Sequence, residues 1–172
     1  EARTNMPKGW GQIPLQSLLE QAQGLEAILI GDWSTESTRK IREAFGHHAS
    51  LALTRRLDCH DPAIWDARST LSSRTGVPLV ATGDVLMHCP SRQPLQDVLT
   101  CLRRRCTVDQ AGTSLQINAS RFLRGPPALT RMFHSAPHAL ERTIEIADRC
   151  NFSLGDLRYL YPREIIPNGW TP

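Results

Sequence analysis

A short apolar run that ends in an acid and an imidazole constrains this chain more than any other stretch. Residues 77–82 contain several β-branched side chains between turn residues, a pattern typical of a buried strand. Asp84 and His88 follow directly after it. Side chains just past the carboxyl end of a parallel strand build the functional sites of α/β folds. The stretch therefore predicts a strand with a candidate metal or phosphate site at its tip.

The preceding residues alternate between strand and helix patterns. Apolar runs at residues 25–30 and 50–54 predict two further strands, and helical spacing predicts helices over residues 14–23, 34–45 and 61–75. Ser34 or Thr35 is expected to cap the second helix, Gly46 to end it, and Asp61 to cap the third. This alternation predicts an α/β fold with parallel strands and covering helices, an arc of a larger unit because three strands do not close a barrel.

After Cys89 the chain becomes mainly helical. Helices are predicted near residues 95–102, 125–133 and 135–150, with a loop and one extended piece between residues 107 and 123. In the last helix Leu140, Ile144 and Ala147 are expected to point inward. The change in pattern predicts two units, residues 1–90 and a helical segment over residues 91–172.

Composition excludes several classes of protein. The 172 residues are 40% hydrophobic and 22% charged, as in globular domains, and no apolar run approaches the length needed to span a membrane. The net charge of +3 does not by itself indicate a nucleic-acid binder. Five cysteines without a Cys-x-x-Cys pair predict reduced thiols and a cytoplasmic location.

Several polar residues near predicted strand ends are candidate metal ligands. Asp84 could bind a cation, with Asp32, Asp58 and His60 as further candidates by position. Metal-assisted phosphoester hydrolysis needs ligands from several strand ends, because two or more ions flank the phosphate. The alternative is that Asp32 and Asp58 are helix caps or turn acids, which short polar residues after strands usually are.

Two other clusters are open to more than one interpretation. The pairs Cys59-His60 and His88-Cys89 contain zinc-type ligands, although their spacing matches no zinc motif and ordinary thiols with surface histidines are favoured. Arg103, Arg104 and Arg105 end an amphipathic helix, where they could bind nucleic-acid phosphates. Alternatively, they only interact favourably with the carboxyl end of that helix.

Several linked motifs resemble one known family. They are residues 80–88 (VATGDVLMH), 95–102 (LQDVLTCL), 142–150 (RTIEIADRC), 152–159 (FSLGDLRY), 161–164 (YPRE) and 169–172 (GWTP). In this order they resemble the end of the polymerase-and-histidinol-phosphatase (PHP) domain of bacterial C-family DNA polymerases and the start of the polymerase module. The resemblance is to the error-prone members, relatives of the polymerase III alpha subunit, and is strongest from about Thr75 onward.

The resemblance implies a partial PHP-type barrel and a parent that is much longer than this chain. The family's first metal-binding histidines would precede Glu1, and the palm aspartates that hold Mg²⁺ would follow Pro172. The metal-binding members end their last strand with Asp-x-His, and Leu86 stands in the place of that histidine. Leucine cannot ligate a metal, and Ile30-Gly-Asp32 replaces a cysteine-containing turn of the family. A degenerate metal site at Asp84 is therefore expected.

These observations give one main hypothesis and two alternatives. The main hypothesis is a fragment of an error-prone DNA-directed DNA polymerase of repair or translesion synthesis, a structural part without its own active site or cofactor. Its parent would use Mg²⁺, DNA and deoxynucleotides, and could contact other damage-tolerance or replication subunits, but no membrane. The alternatives are a metal-dependent phosphoesterase, and a non-catalytic module that binds DNA or a subunit through Arg103, Arg104 and Arg105.

Overall fold

Three parallel strands form the centre of the fold. The structure, a computed structural model, describes residues 11–157. The strands β1 (Ala27–Leu29), β2 (Ala49–Thr54) and β3 (Leu79–Thr82) pair in the order β1-β2-β3 and form an open sheet. Leu29 pairs with Leu51, and Leu51 pairs with Leu79. The α/β prediction and all three predicted strands are thus confirmed.

Three helices belong to the first half of the chain: α1 (Leu15–Glu20), α2 (Thr35–Phe45) and α3 (Asp61–Thr75). The Ser34 hydroxyl caps α2 by accepting a hydrogen bond from the Ser37 amide at 3.1 Å, and Gly46 with a φ of 57° ends the helix. Both signals were predicted. The cap predicted at Asp61 is wrong, because this acid is the first residue of α3 and its carboxylate accepts hydrogen bonds from the preceding loop.

The second half is mainly helical, as predicted. It contains α4 (Gln93–Arg104), α5 (Val108–Ala111), α6 (Pro126–Met132) and α7 (Pro137–Arg149). The short helix α5 lies where a loop was predicted, because a capping box between Thr107 and Gln110 starts a single helical turn there. Single 3₁₀ turns lie at Gly46–His48, Pro90–Arg92, Gly112–Ser114 and Leu154–Asp156. The predicted extended piece is a single parallel bridge between Met87 and Phe122. Within residues 11–157, no helix combines the length and the apolar character needed to cross a membrane.

The central strand β2 connects both halves of the chain through one core. Five of its six residues are buried, and the core cluster around them draws on α2, α3 and the region of α6 and α7. The buried members outside the sheet include Ile41, Phe45, Leu71, Phe133, Ala136 and Ala139. Residues from both sides of position 90 therefore share one core, and the division into two units at that position stays a prediction.

The inward side of α7 agrees with the prediction only at Leu140, which is half-buried and packs against the core. Ile144 is 62% exposed and Ala147 is also exposed, whereas Ala139 is fully buried and Arg142 is 9% exposed. Arg142 donates hydrogen bonds to the His47 carbonyl and, at 3.1 Å, to the Ser50 hydroxyl. A small residue and a satisfied guanidinium face the sheet at this point, and a pattern built from large apolar residues does not detect such a face.

An ion pair ties the end of α7 to the start of β1. Arg149 donates to both carboxylate oxygens of Glu26, at 2.6 and 3.2 Å, and the Nδ1 atom of His48 lies 2.6 Å from Glu26 Oε1. The Glu26 side chain is 15% exposed. The hydrogen bond from Arg149 is the largest cause that lowers the pKa of Glu26 from 4.5 to about 2; His48 adds to it and burial opposes it.

This pair predicts a pH-dependent stability. Because the pKa of Glu26 is lower in the folded state, its stabilisation is complete above pH 4.5 and is lost as the pH falls toward 2. We expect Glu26→Gln to lower the free energy of unfolding at pH 7 by on the order of 2 kcal/mol. Urea unfolding at a series of pH values should show the difference from wild type shrinking below pH 4.5.

Glu36 provides the matched control for this prediction. It forms an ion pair with Lys40 one turn away, and its side chain is 78% exposed. Solvent screens such surface pairs strongly, so Glu36→Gln should leave the unfolding free energy nearly unchanged at pH 7. Equal losses for the two variants would show that the contact between Glu26 and Arg149 is not specifically stabilising.

Candidate functional site

The carboxyl ends of the three strands bring together polar residues that are distant in sequence. Asp32 follows β1, residues 55–61 follow β2, and Asp84 follows β3. The ends of parallel strands lie along one edge of a sheet, which is why the sequence predicts a site there. The structure shows, however, that arginines from three different regions share this edge with the acids.

Asp84 is held by two guanidinium groups. One carboxylate oxygen accepts from Nη2 and Nε of Arg56 at 2.7 and 3.1 Å, and the other lies 2.5 Å from Nη2 of Arg121. The Asp84 side chain is 28% exposed and that of Arg121 only 14%. Charge-assisted hydrogen bonds of this kind are among the stronger polar contacts in proteins. Both oxygens of the predicted metal ligand thus already have cationic partners.

Arg121 also fixes the backbone around Asp84. Its Nε donates to the Asp84 carbonyl at 2.8 Å and its Nη1 to Gln116 at 2.9 Å, so all three guanidinium nitrogens have acceptors. Asp84 has a φ of 44°, in the left-handed region that costs a non-glycine residue on the order of 1 kcal/mol. The Arg121 carbonyl in turn accepts from the amides of Leu86 and Met87. One arginine therefore holds the turn that follows β3.

The loop after β2 is held by a buried acid. Asp61 is 7% exposed and accepts hydrogen bonds from the amides of Arg56 and Leu57 at 2.9 and 2.8 Å. On the other side, the Arg56 carbonyl accepts from the side chains of Asn118 and Ser120. The backbone of Arg56 is thus fixed between α3 and residues 118–120. This positions the Arg56 side chain toward Asp84.

The remaining candidate ligands do not converge on Asp84. Asp58 accepts from the His60 amide at 2.8 Å, which confirms its interpretation as a turn acid. The Asp32 side chain is fully exposed and lies 3.7 Å from Arg68, which donates to the Gly31 carbonyl. His88 is exposed, and the Cys89 thiol lies 3.1 Å from the Ser91 hydroxyl. The five cysteines are free thiols.

The residues at this edge do not fit a bound metal cluster. A cation at Asp84 would have to displace two guanidinium groups and would still lack further ligands. Within the described residues, no three or more histidine, cysteine, aspartate or glutamate side chains are placed to hold a metal ion. Asp84 as the remnant of a metal site stays a prediction. The arrangement is suited to fixing loops rather than to activating a water molecule.

The arginines predicted to bind DNA lie elsewhere, on the surface. Arg103, Arg104 and Arg105 are all exposed at the end of α4, and Arg105 has a φ of 56° as the residue that terminates the helix. Within residues 11–157 none of the three forms an ion pair. DNA binding by this cluster stays a prediction. The sequence patterns pointed to neither Arg56 nor Arg121 as a partner of Asp84.

The contact between Arg121 and Asp84 should be measurable as a coupling free energy between substitutions at the two residues. In a double-mutant cycle with Arg121→Gln and Asp84→Asn, we expect a coupling energy of about 1–3 kcal/mol, because the pair is partly buried and shares one hydrogen-bond network. Urea unfolding of the four proteins measures it. Additive effects of the two substitutions would contradict a direct contact.

The corresponding cycle on Glu36 and Lys40 serves as the control. That pair has a similar separation of 2.7 Å but lies at the surface. Its coupling should be clearly smaller than that of Asp84 and Arg121, since exposed pairs are screened by solvent. Similar couplings in the two cycles would show that Arg121 stabilises the turn no more than an ordinary surface pair does.

Comparison with curated proteins shows the family to which the chain belongs. No protein-family model matches it. It is 38% identical over 161 residues to error-prone DNA polymerase 1 of Agrobacterium fabrum, and 38% identical over 169 residues to the error-prone DNA polymerase of Ruegeria pomeroyi. These matches cover 91% and 96% of the chain and 15% of each relative. The Caulobacter vibrioides error-prone DNA polymerase is 46% identical over 102 residues, 59% of the chain and 9% of the relative.

The chain thus spans about 15% of the length of the two relatives that match most of it. The similarity extends through both the strand-rich half and the helical half, as the sequence motifs predicted. Identity at this level over almost the whole chain shows that it belongs to the bacterial error-prone DNA polymerases of the C family, as a segment of such a polymerase.

Proposed function

We propose that this chain is a structural segment of an error-prone DNA-directed DNA polymerase that acts in repair and translesion synthesis. The names of its relatives support the polymerase assignment. The observation that carries the structural role is the double arginine clamp, in which Arg56 and Arg121 both pair with Asp84. The clamp fills the strand ends where a metal-dependent PHP domain needs its ligands. The segment contributes a rigid platform and no active centre of its own.

The PHP-type architecture is part of the proposal. Three parallel strands in sequence order, with α2 and α3 connecting them, are what an arc of such a barrel requires. The open sheet then continues with further strands in the parent. The clamp substitutes charge pairing within the protein for metal coordination, so that the loops after β2 and β3 keep a fixed geometry without an ion.

The catalytic chemistry belongs to the parent polymerase. Nucleotide addition uses Mg²⁺ held by carboxylates and a bound primer-template. From the resemblance to the family we expect those carboxylates beyond Pro172, and DNA and deoxynucleotides are then partners of the parent. Other damage-tolerance or replication subunits belong to the same proposal, and so does a cytoplasmic location.

The phosphoesterase alternative has a clear requirement that separates it from this proposal. Hydrolysis by two or more ions needs at least three ligands around Asp84. Arg56 and Arg121 pair with both oxygens of Asp84. Leu86, two residues further along the chain, cannot ligate a metal. This environment favours the structural role.

The proposal predicts a division of activities. The purified 172-residue chain should incorporate no nucleotides into a primed template, and added Zn²⁺ or Mn²⁺ should not raise its melting temperature, because the carboxylate is already paired. The full-length polymerase that contains the chain should extend primers with Mg²⁺, including past a damaged template base. Primer extension on gels and thermal unfolding with each metal measure these outcomes.

A variant of the clamp provides the control. Arg121→Gln in the full-length polymerase should lower its melting temperature while the metal requirement of primer extension stays the same, since Arg121 would support the platform and not the reaction. Stoichiometric zinc or manganese in the purified wild-type chain, with phosphoester hydrolysis, would instead establish the phosphoesterase. A full-length protein unable to extend primers would refute the polymerase function.

A further inference from the structure

The apolar side of helix α4 faces away from the rest of residues 11–157. Its large apolar side chains Leu95, Val98, Leu99 and Leu102 are 45–69% exposed. The side that faces the protein is instead polar or small, with Cys101 buried and Gln93 donating to the Gln116 carbonyl at 3.2 Å. Apolar residues at this spacing normally mark the buried face of a helix. An outward apolar face of this kind is normally covered by another protein segment.

This face continues into a groove on the neighbouring loop. A cavity of about 250 Å³ lies between α4 and residues 86–88, lined by Leu86, Met87, Leu95 and Leu99. Leu86 is the residue that stands in the place of the family's metal-binding histidine, and it is 37% exposed. The groove provides a concave apolar surface that the side chains of an approaching segment can enter.

Positive charges frame the apolar face at both ends. Arg92 borders the groove at the start of α4, and Arg103, Arg104 and Arg105 follow its last turn. All four are exposed, and none of them forms an ion pair within residues 11–157. A complementary segment would combine apolar anchors with acidic residues at its ends. DNA offers the negative charge but no apolar partner for four exposed leucine and valine side chains.

We infer that the outward face of α4, together with the groove at Leu86, docks an apolar segment with acidic flanks from another part of the same polymerase chain. The inference rests on the proposed function. The matched relatives are more than six times as long as the region they share with this chain, so a covalently linked partner is present at high local concentration. The proposed platform then gains a defined contact surface toward the rest of the enzyme.

Hydroxyl-radical footprinting of the 172-residue chain and of the full-length polymerase tests this docking. The oxidation rates of Leu95 and Leu99 should fall at least about tenfold in the full-length protein, since covered side chains lose contact with solvent. Ile144 on α7, which is 62% exposed, is the internal reference. Rates for Leu95 and Leu99 that stay the same, or that fall no more than the rate for Ile144, would overturn the inference.

Two other occupants give different outcomes, and each would also overturn it. Protection that appears in the 172-residue chain and grows with protein concentration would assign the face to a second copy. Protection that appears only after DNA is added would assign it to nucleic acid. Primer extension by the full-length protein is measured separately, so an inactive protein with protected leucines would refute the polymerase function and leave the docking intact.

Substitutions test the chemistry of the partner. Leu99→Asp should lower the melting temperature of the full-length polymerase more than Ile144→Asp, which adds the same charge on α7. The charge reversals Arg103→Glu and Arg104→Glu together should reduce the protection of Leu95, whereas Arg39→Glu with Arg74→Glu, on α2 and α3, should not. Equal effects of the two double variants would refute an acidic partner.

Discussion

The burial of β2 is the constraint on which the rest of the structure depends. A parallel strand with five of six residues buried needs apolar cover on both faces, because its side chains alternate between them. The cover comes from α2 and α3, which lie close to the strand in sequence, and from Phe133, Ala136 and Ala139, about eighty residues later. The core around the sheet is therefore complete only when the helical half packs against it.

Polar contacts accompany the packing of the helical half against the sheet. Arg142 reaches from α7 to Ser50 in β2, and Arg149 reaches from the end of the same helix to Glu26 before β1. The apolar contacts supply most of the free energy, whereas these directional contacts select one position of α7 along the sheet. The same principle operates at the carboxyl ends of the strands, where Arg121 from the helical half holds Asp84.

The strands, most of the helices and the α/β class could be predicted because each depends on local patterns. Ser34 and Gly46 mark the ends of α2 through their own backbone preferences, so they are visible within a few residues. The clamp on Asp84 could not be predicted in this way, since its partners lie 28 and 37 residues away and no periodicity links them. On α7, Leu140 was assigned to the inward face correctly, but Ile144 and Ala147 were assigned to it wrongly. Alanine and a satisfied arginine take the place of the large apolar residues that such patterns register.

The arginine contacts of Asp84 and the exposed apolar face of α4 are connected through the turn after β3. Arg121 fixes Asp84 and, through its carbonyl, the amides of Leu86 and Met87, which line the groove beside α4. A metal cluster at this position would need a polar ligand where Leu86 stands. An aliphatic residue there removes a ligand and at the same time adds apolar surface to the groove. In the proposed structural segment, the missing metal ligand and the added docking surface are two consequences of one side chain.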